Sequence, residues 1–282
     1  MKRLIQILFL MLIFQISFGQ DIENDTIKIK AFHYVLTGAG ISSASYRDMG
    51  VSPLVYSGYM PVFSIAHKAT KPQYIWDASI EYAFGSYNRN ISNKNYSTSA
   101  NNVFVQMNYL RNITSEPDAV LIWMIGAGLS HNTSVRVSPH YMNSQFVMDN
   151  FSSLSINGRV QYDFSLKAKE KKIWFLNCIR PERHYTFGIK LDVPFGTMIH
   201  RPGFSYVSHA TTNEINEFDD YKWHLLLFTG VRAKLELLRF LENGNAVGIS
   251  YHFNLFSSKQ FLNQYLQMAD QSLQLSLLYR FK

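Results

Sequence analysis

Thirteen residues from Leu154 to Leu166 alternate without a break between two chemically distinct sets. Leu154, Ile156, Val160, Tyr162, Phe164 and Leu166 fall with Gly158 in one set, and Ser155, Asn157, Arg159, Gln161, Asp163 and Ser165 in the other. A strand sends successive side chains to opposite faces, so this run makes a ribbon with one apolar and one polar face. A helix would smear both sets around its axis. Strands of soluble sheets run about 3–10 residues, whereas a tilted strand crossing a bilayer needs about 9–11 and often extends past it. The length therefore favours a strand that crosses a membrane.

The same period recurs along the chain. Tyr74, Trp76, Ala78, Ile80, Tyr82 and Phe84 oppose Ile75, Asp77, Ser79, Glu81 and Ala83. Tyr185, Phe187, Ile189, Leu191, Val193 and Phe195 oppose Thr186, Gly188, Lys190 and Asp192. Leu225, Leu227, Thr229, Val231, Ala233, Leu235 and Leu237 oppose a set that includes Phe228, Arg232, Lys234 and Glu236. Val247 to Leu255 follows suit, with His252 on the polar side, and less regular segments lie near 31–46, 56–67, 101–112 and 119–130. In the last strand Leu273, Leu275, Leu277, Tyr279 and Phe281 share a face, and one lysine follows the aromatic. This pattern resembles the closing strand of bacterial outer-membrane β-barrel proteins, whose assembly signal is an alternating strand ending in an aromatic.

The resemblance implies an all-β fold: a transmembrane antiparallel up-and-down β-barrel of about ten strands. It also implies a cell outer membrane location in a Gram-negative envelope, contact with outer-membrane lipids and lipopolysaccharide, and insertion by the barrel assembly machinery. The N-terminus agrees. Lys2 and Arg3 precede an apolar run from Leu4 to Phe18, and Ser17 and Gly19 are small residues at cleavage-site spacing, so 1–19 reads as a signal peptide. Residues 20–30 read as a short periplasmic tail, and 31–282 as the barrel.

Composition narrows the rest. Hydrophobic residues make up 47% and aromatics 15%, yet no apolar run after Gly19 approaches the roughly 20 residues of a membrane helix. The single cysteine, Cys178, excludes an intramolecular disulfide, so an exported chain must draw stability elsewhere, and a closed hydrogen-bonded barrel is one such source. The formal charge of +7 is spread without a block of like charges, which leaves nucleic-acid binding without a footprint. A secreted soluble β-sandwich or lipid-carrying barrel would need its apolar faces buried in a second sheet.

Short connections near 68–72, 114–118 and 241–244 alternate with longer polar ones near 47–55, 88–99, 131–150, 202–221 and 258–269. Short turns at one rim and long loops at the other fit the outer-membrane arrangement. Asn243-Gly244 signals a tight hairpin turn whose two strands agree in phase only if a bulge intervenes. The segment 167–184 is too long for a short turn and reads as strand extension or a flap.

Ten strands leave a narrow interior. The polar faces send Asp77, Glu81, Arg159, Asp163, Lys190, Asp192, Arg232, Lys234, Glu236 and Arg280 inward, and charges of both signs can satisfy one another there. That set is a structural salt-bridge network or the lining of a narrow conduit or binding pocket, which points to occluded small-molecule transport or binding. A structural or adhesion barrel acting through its loops is the alternative. Hydrolysis is a third reading. Outer-membrane proteases resemble ten-stranded barrels with Asp and His at the outer rim, and His200, His209, His224, Asp219 and Asp220 lie near one loop. Ser208-His209 and Ser250 with His252 supply nucleophile and base types, without a third member or an oxyanion pattern in the sequence. No catalytic, cofactor or metal site is assigned: Cys178 has no cysteine companion and no histidine pair has ligand spacing. Gly38, Gly40, Gly126 and Gly128 lie in strands with no following helix, so close strand packing explains them better than phosphate binding.

Overall fold

A computed structural model describes residues 31–91, 93–115, 119–139, 146–173, 176–180, 182–202, 221–258 and 265–281. Thirteen strands account for almost all of it: β1 (Phe32–Asp48), β2 (Ser52–Thr70), β3 (Tyr74–Ile91), β4 (Lys94–Asn112), β5 (Leu121–Val137), β6 (Phe146–Leu166), β7 (Lys169–Ile173), β8 (Leu176–Arg180), β9 (Arg183–Pro202), β10 (Tyr221–Leu226), β11 (Gly230–Phe240), β12 (Ala246–Ser257) and β13 (Leu266–Phe281). Each wall strand pairs antiparallel with its sequence neighbour, β9 follows β6 in the wall, and β13 returns to pair with β1. β10 and β11 both pair with β9, at Thr197–Pro202 and His184–Asp192 respectively, so they are one wall strand with a break. The result is a closed, antiparallel, up-and-down barrel of ten wall strands. Closure leaves no unpaired edge. The signal-peptide and tail segments, 1–30, lie outside the described residues.

The outer face carries the apolar sets read from the sequence. Leu275, Leu277 and Tyr279 are each more than 60% exposed, and Ile80, Trp123, Ile156 and Leu191 are exposed on other strands. These residues form an apolar belt around the barrel, and the lipid-facing band of such a barrel is roughly 25 Å tall. Above it the outward positions turn polar, as in Ser43, Ser45 and Arg47 of β1, and Ser86 and Asn88 of β3.

The strands continue well past that belt, which corrects the reading of long loops. β1 and β2 run to Asp48 and from Ser52, leaving a connection of three residues, and β3 and β4 pair up to Ile91 opposite Lys94. β5 reaches Val137, β6 begins at Phe146 and β13 at Leu266. Ladder pairing satisfies backbone groups that polar loops would leave to water, and the polar composition marks an extension outside the belt. At the opposite rim, where β1 starts and β13 ends, 167–184 contains a small hairpin, β7 paired with β8.

Two local devices hold the faces in phase. Between β10 and β11, Phe228 takes a positive φ of 51°. It is 70% exposed while Thr229 is buried, the reverse of the simple alternation, and Thr229 Oγ1 then meets Thr197 Oγ1 at 2.7 Å inside the barrel. At the β11–β12 turn, Leu241 N donates to Asn245 O at 2.7 Å and Gly244 N to Leu241 O at 2.9 Å, with Gly244 at φ +81°. This is a three-residue loop with a glycine bulge, which brings the faces of β11 and β12 into register. Gly126 packs where a Cβ would lie 1.8 Å from the Tyr109 carbonyl, a close approach of strands as expected.

Candidate functional site

The inward faces line a chamber of about 190 Å³. Its centre is Glu236 on β11, whose carboxylate lies 3.1 Å from Lys234 Nζ, 3.2 Å from Arg159 Nη2 and 3.8 Å from Lys68 Nζ. Asp192 accepts from Gln106 Nε2 at 2.8 Å and pairs with Lys190 Nζ at 3.4 Å. Asp77 accepts from Asn108 at 2.6 Å, and Asp270 from Asn254 at 2.9 Å. Arg232 donates through Nη1 to Ser130 Oγ at 2.7 Å and lies 5.3 Å over the Phe104 ring. The charged residues lining the chamber are Lys68, Arg159, Lys190, Arg232 and Lys234 against Asp77, Glu81, Asp192, Glu236 and Asp270. The two sets balance, which is how so narrow an interior holds ten charges.

Eight of the ten lumen residues expected from the sequence line this chamber. Arg280 does not. It is exposed at the terminal rim, its guanidinium 4.2 Å over the Phe32 ring, because alternation fixes which face a residue takes but not how far along the barrel axis it sits. Asp163 is likewise exposed near that rim, where Gln161 and Thr186 donate to it. Lys68 and Asp270 lie at the ends of strands whose polar faces were read too short, so both were missed.

The structure supplies a third partner for one histidine. Ser250 Oγ lies 3.0 Å from His252 Nε2, and His252 Nδ1 lies 3.5 Å from Glu81 Oε1 across the lumen. Ser250 faces Glu236 on one neighbouring strand and Gln274 on the other, with ladder pairing on both sides. The local backbone N–H groups are thus committed, and an oxyanion would depend on side chains. Of the protease-like grouping, His200 stacks on Trp223, ring centroids 4.3 Å apart, with Trp223 exposed on the outer side. His209, Asp219 and Asp220 lie outside the described residues. Among the described residues, no group of three or more acidic, His or Cys side chains could hold a metal ion.

Apolar layers bound the chamber at both ends. Toward the far rim, Tyr46, Tyr56, Met60 and Tyr87 cluster with Ala44 and Ala100, and Phe151, Ile199, Leu226 and Leu266 form a second cluster; Met268 touches both. Tyr46 stacks on Tyr56 at 5.3 Å and meets Tyr87 edge-on at 4.6 Å. Toward the terminal rim, Ile75, Leu110 and Met124 form one cluster and Leu238, Ala246 and Leu278 another, joined by Tyr34, Leu36 and Phe240.

Beyond the tyrosine layer, outside the belt, four buried charges cross the barrel. Asp48 of β1 pairs with Arg136 of β5 at 2.9 Å and takes both its oxygens to Arg201 Nη2 of β9 at 2.8 Å. Asp149 of β6 pairs with Arg136 and lies 3.3 Å from Arg201 Nε. Arg136 also covers the Tyr46 ring at 4.5 Å. Burial pushes the Asp48 carboxyl up, but Arg201 and then Arg136 more than offset this, and its pKa falls below the usual value. These residues sit in or beside stretches whose composition reads as loop, so no local pattern signals that they meet.

No protein-family model and no curated protein matches the chain. Solved structures do. The outer-membrane protease OmpT from Escherichia coli superposes with a TM-score of 0.54 at 11% identity, over 92% of this chain and 99% of that one. The transport unit of the autotransporter AIDA-I, also from Escherichia coli, gives 0.45 at 8% identity, over 94% of each chain. Neisserial surface protein A gives 0.34 at 9% identity, over 89% of this chain and 99% of that one. At such identities the likeness to OmpT is one of fold. The chain has the architecture of an outer-membrane β-barrel.

Proposed function

We propose that this chain is an integral protein of a Gram-negative outer membrane whose lumen is an occluded chamber for a small polar ligand. The carrying observation is the charge-balanced, hydrogen-bonded chamber bounded by apolar layers toward both rims. A purely structural barrel has no need to leave space among buried charges, whereas an open pore has no use for apolar layers above and below them. In this reading residues 1–19 are removed on export, and the belt sits in phospholipid and lipopolysaccharide. The barrel assembly machinery recognises the β13 strand through Leu273, Leu275, Leu277, Tyr279 and Phe281. The rim that holds Phe32 and Phe281 faces the periplasm and the extended strands face outward.

Planar-bilayer recording tests the occlusion. The wild-type protein is expected to give no steady ion current, and Tyr46→Ala with Tyr87→Ala is expected to give one by thinning the tyrosine layer. A stable wild-type current would overturn the occluded reading. A second reading, as a hydrolase, rests on the Ser250–His252–Glu81 arrangement. It predicts labelling of Ser250 by a fluorophosphonate, and absence of labelling removes it.

A further inference from the structure

Two histidines that stand 34 residues apart in the chain meet on the outer face at the terminal rim. The ladder pairs His33 with Ala69 and Val35 with His67, so the two are diagonal neighbours on one face of β1 and β2. His33 Nδ1 lies 3.4 Å from His67 Nε2, and the ring centroids are 5.5 Å apart with 24° between the planes. Apolar rings flank the pair. Phe281 of β13 lies 5.8 Å from both imidazoles, and Trp76 of β3 lies 5.3 Å from His67.

The distance between the two nitrogens is informative. At 3.4 Å it exceeds the span of about 2.7–3.2 Å usual for an N–H hydrogen bond. Two imidazole nitrogens bound to one zinc ion at about 2.0–2.1 Å, with a tetrahedral angle between them, stand about 3.3–3.4 Å apart. Adjacent ligands of a square-planar ion would stand closer, at about 2.8–3.0 Å. The pair therefore has the bite of a tetrahedral site. An ion seated there lies off the line between the nitrogens, and the broad torsion about each histidine Cβ–Cγ bond allows the adjustment. In the free pair one facing nitrogen carries a proton and the other accepts it. On metal binding that ring moves its proton to its far nitrogen, both facing lone pairs go to the ion, and no proton is released.

We propose that His33 and His67 form a cross-strand zinc site that clips β1 to β2 at the terminal rim. The inference stands apart from the chamber reading and shares no residue with it. Among the described residues no third ligand joins the pair, so water fills the remaining positions and the ion is exchangeable. Ladder pairing fixes both backbones before the ion arrives, which keeps the ordering cost of binding small. Because the two rings meet only when β1 and β2 are paired, bound zinc favours the folded barrel.

Equilibrium dialysis of the purified barrel in detergent against Zn²⁺ at neutral pH, with Mg²⁺ as an oxygen-preferring comparison, tests this. One Zn²⁺ per chain is expected, and no Mg²⁺. Zinc is also expected to raise the temperature at which the folded gel band shifts. His33→Gln and His67→Gln keep a hydrogen-bonding side chain but lose the imidazole. Each is expected to weaken zinc binding at least tenfold and to remove the zinc-dependent rise in that temperature. Gel mobility without metal shows whether each variant is folded, and either one suffices. If neither folds, X-ray absorption at the zinc edge of the wild-type protein decides, with two imidazole nitrogens expected. A wild-type barrel that takes up no zinc, zinc uptake unchanged in both variants, or a zinc edge without two imidazoles overturns the site. Mg²⁺ bound as tightly as Zn²⁺ overturns its assignment to imidazole ligands.

Discussion

Replacing Arg136 with methionine would test the buried charges of the far rim most directly. Arg136 is 3% exposed, bridges Asp48 and Asp149, and covers Tyr46. Methionine keeps much of the apolar bulk against Tyr46 but removes the charge, leaving Arg201 to balance two buried carboxylates. Breaking a buried pair in this way costs about 3–5 kcal/mol, roughly a 150- to 5,000-fold loss in the folding equilibrium constant. Adding Asp149→Asn leaves the Asp48–Arg201 pair balanced, so the double variant should recover at least half of that loss. The assay is urea unfolding in lipid vesicles, followed by tryptophan fluorescence and by heat-dependent gel mobility. Because the charges are buried, the loss should change little between low and high salt. A single-variant loss below about 1 kcal/mol, or a double variant whose loss equals the sum of the two singles, would refute the idea that these four groups act as one balanced unit.

The same cluster sets a pH dependence. The folded pKa of Asp48 lies below its unfolded value, near 3.9, so its stabilisation is complete at higher pH and drains away as pH falls through the folded pKa. The gap in unfolding midpoint between wild type and Asp48→Asn should therefore be constant from pH 7 to 5 and shrink below about pH 4, with Asp48→Asn the less stable at neutral pH. Glu236→Gln removes the carboxylate shared by Lys68, Arg159 and Lys234, and a cost of a few kcal/mol is expected by the same unfolding assay. Gly40→Val would place a Cβ 2.1 Å from the Leu273 carbonyl at the β1–β13 seam, so loss of the heat-shifted folded band is expected; a normal yield would mean the seam has slack. Phe281, at the outer face of that seam, lies 5.8 Å from both His33 and His67. Phe281→Ala with Leu277→Asn should sharply reduce assembled protein in the outer-membrane fraction while export continues, and unchanged levels would contradict an assembly role for β13.

All ten wall strands were legible in the sequence, and so was the face taken by eight of the ten charged residues that line the chamber. Asp77, Glu81, Arg159, Lys190, Asp192, Arg232, Lys234 and Glu236 were placed inside by alternation alone, because a pleated strand leaves no other choice. The strand ends were not legible. Once the outward positions become polar, a paired strand outside the belt and a solvated loop share one composition, and the Asp48–Arg136–Asp149–Arg201 cluster was hidden for that reason. Phe228 and Thr229 were assigned to the wrong faces because a positive φ at one residue interrupts a period that composition continues.

Periodicity, then, determined the sheet, its two faces and most of the charged residues inside, since these depend only on the geometry of neighbouring residues. Tertiary structure decided which residues meet across the lumen. Glu81 reaches His252 and Gln274 from a strand some 170 to 190 residues away in the chain, and Arg201 reaches Asp48 across 153. Arg232 reaches Ser130 and the Phe104 ring, since the carboxylates beside it are bonded elsewhere. Such meetings follow from barrel closure and strand stagger, which place side chains at particular heights along an axis that local sequence does not encode.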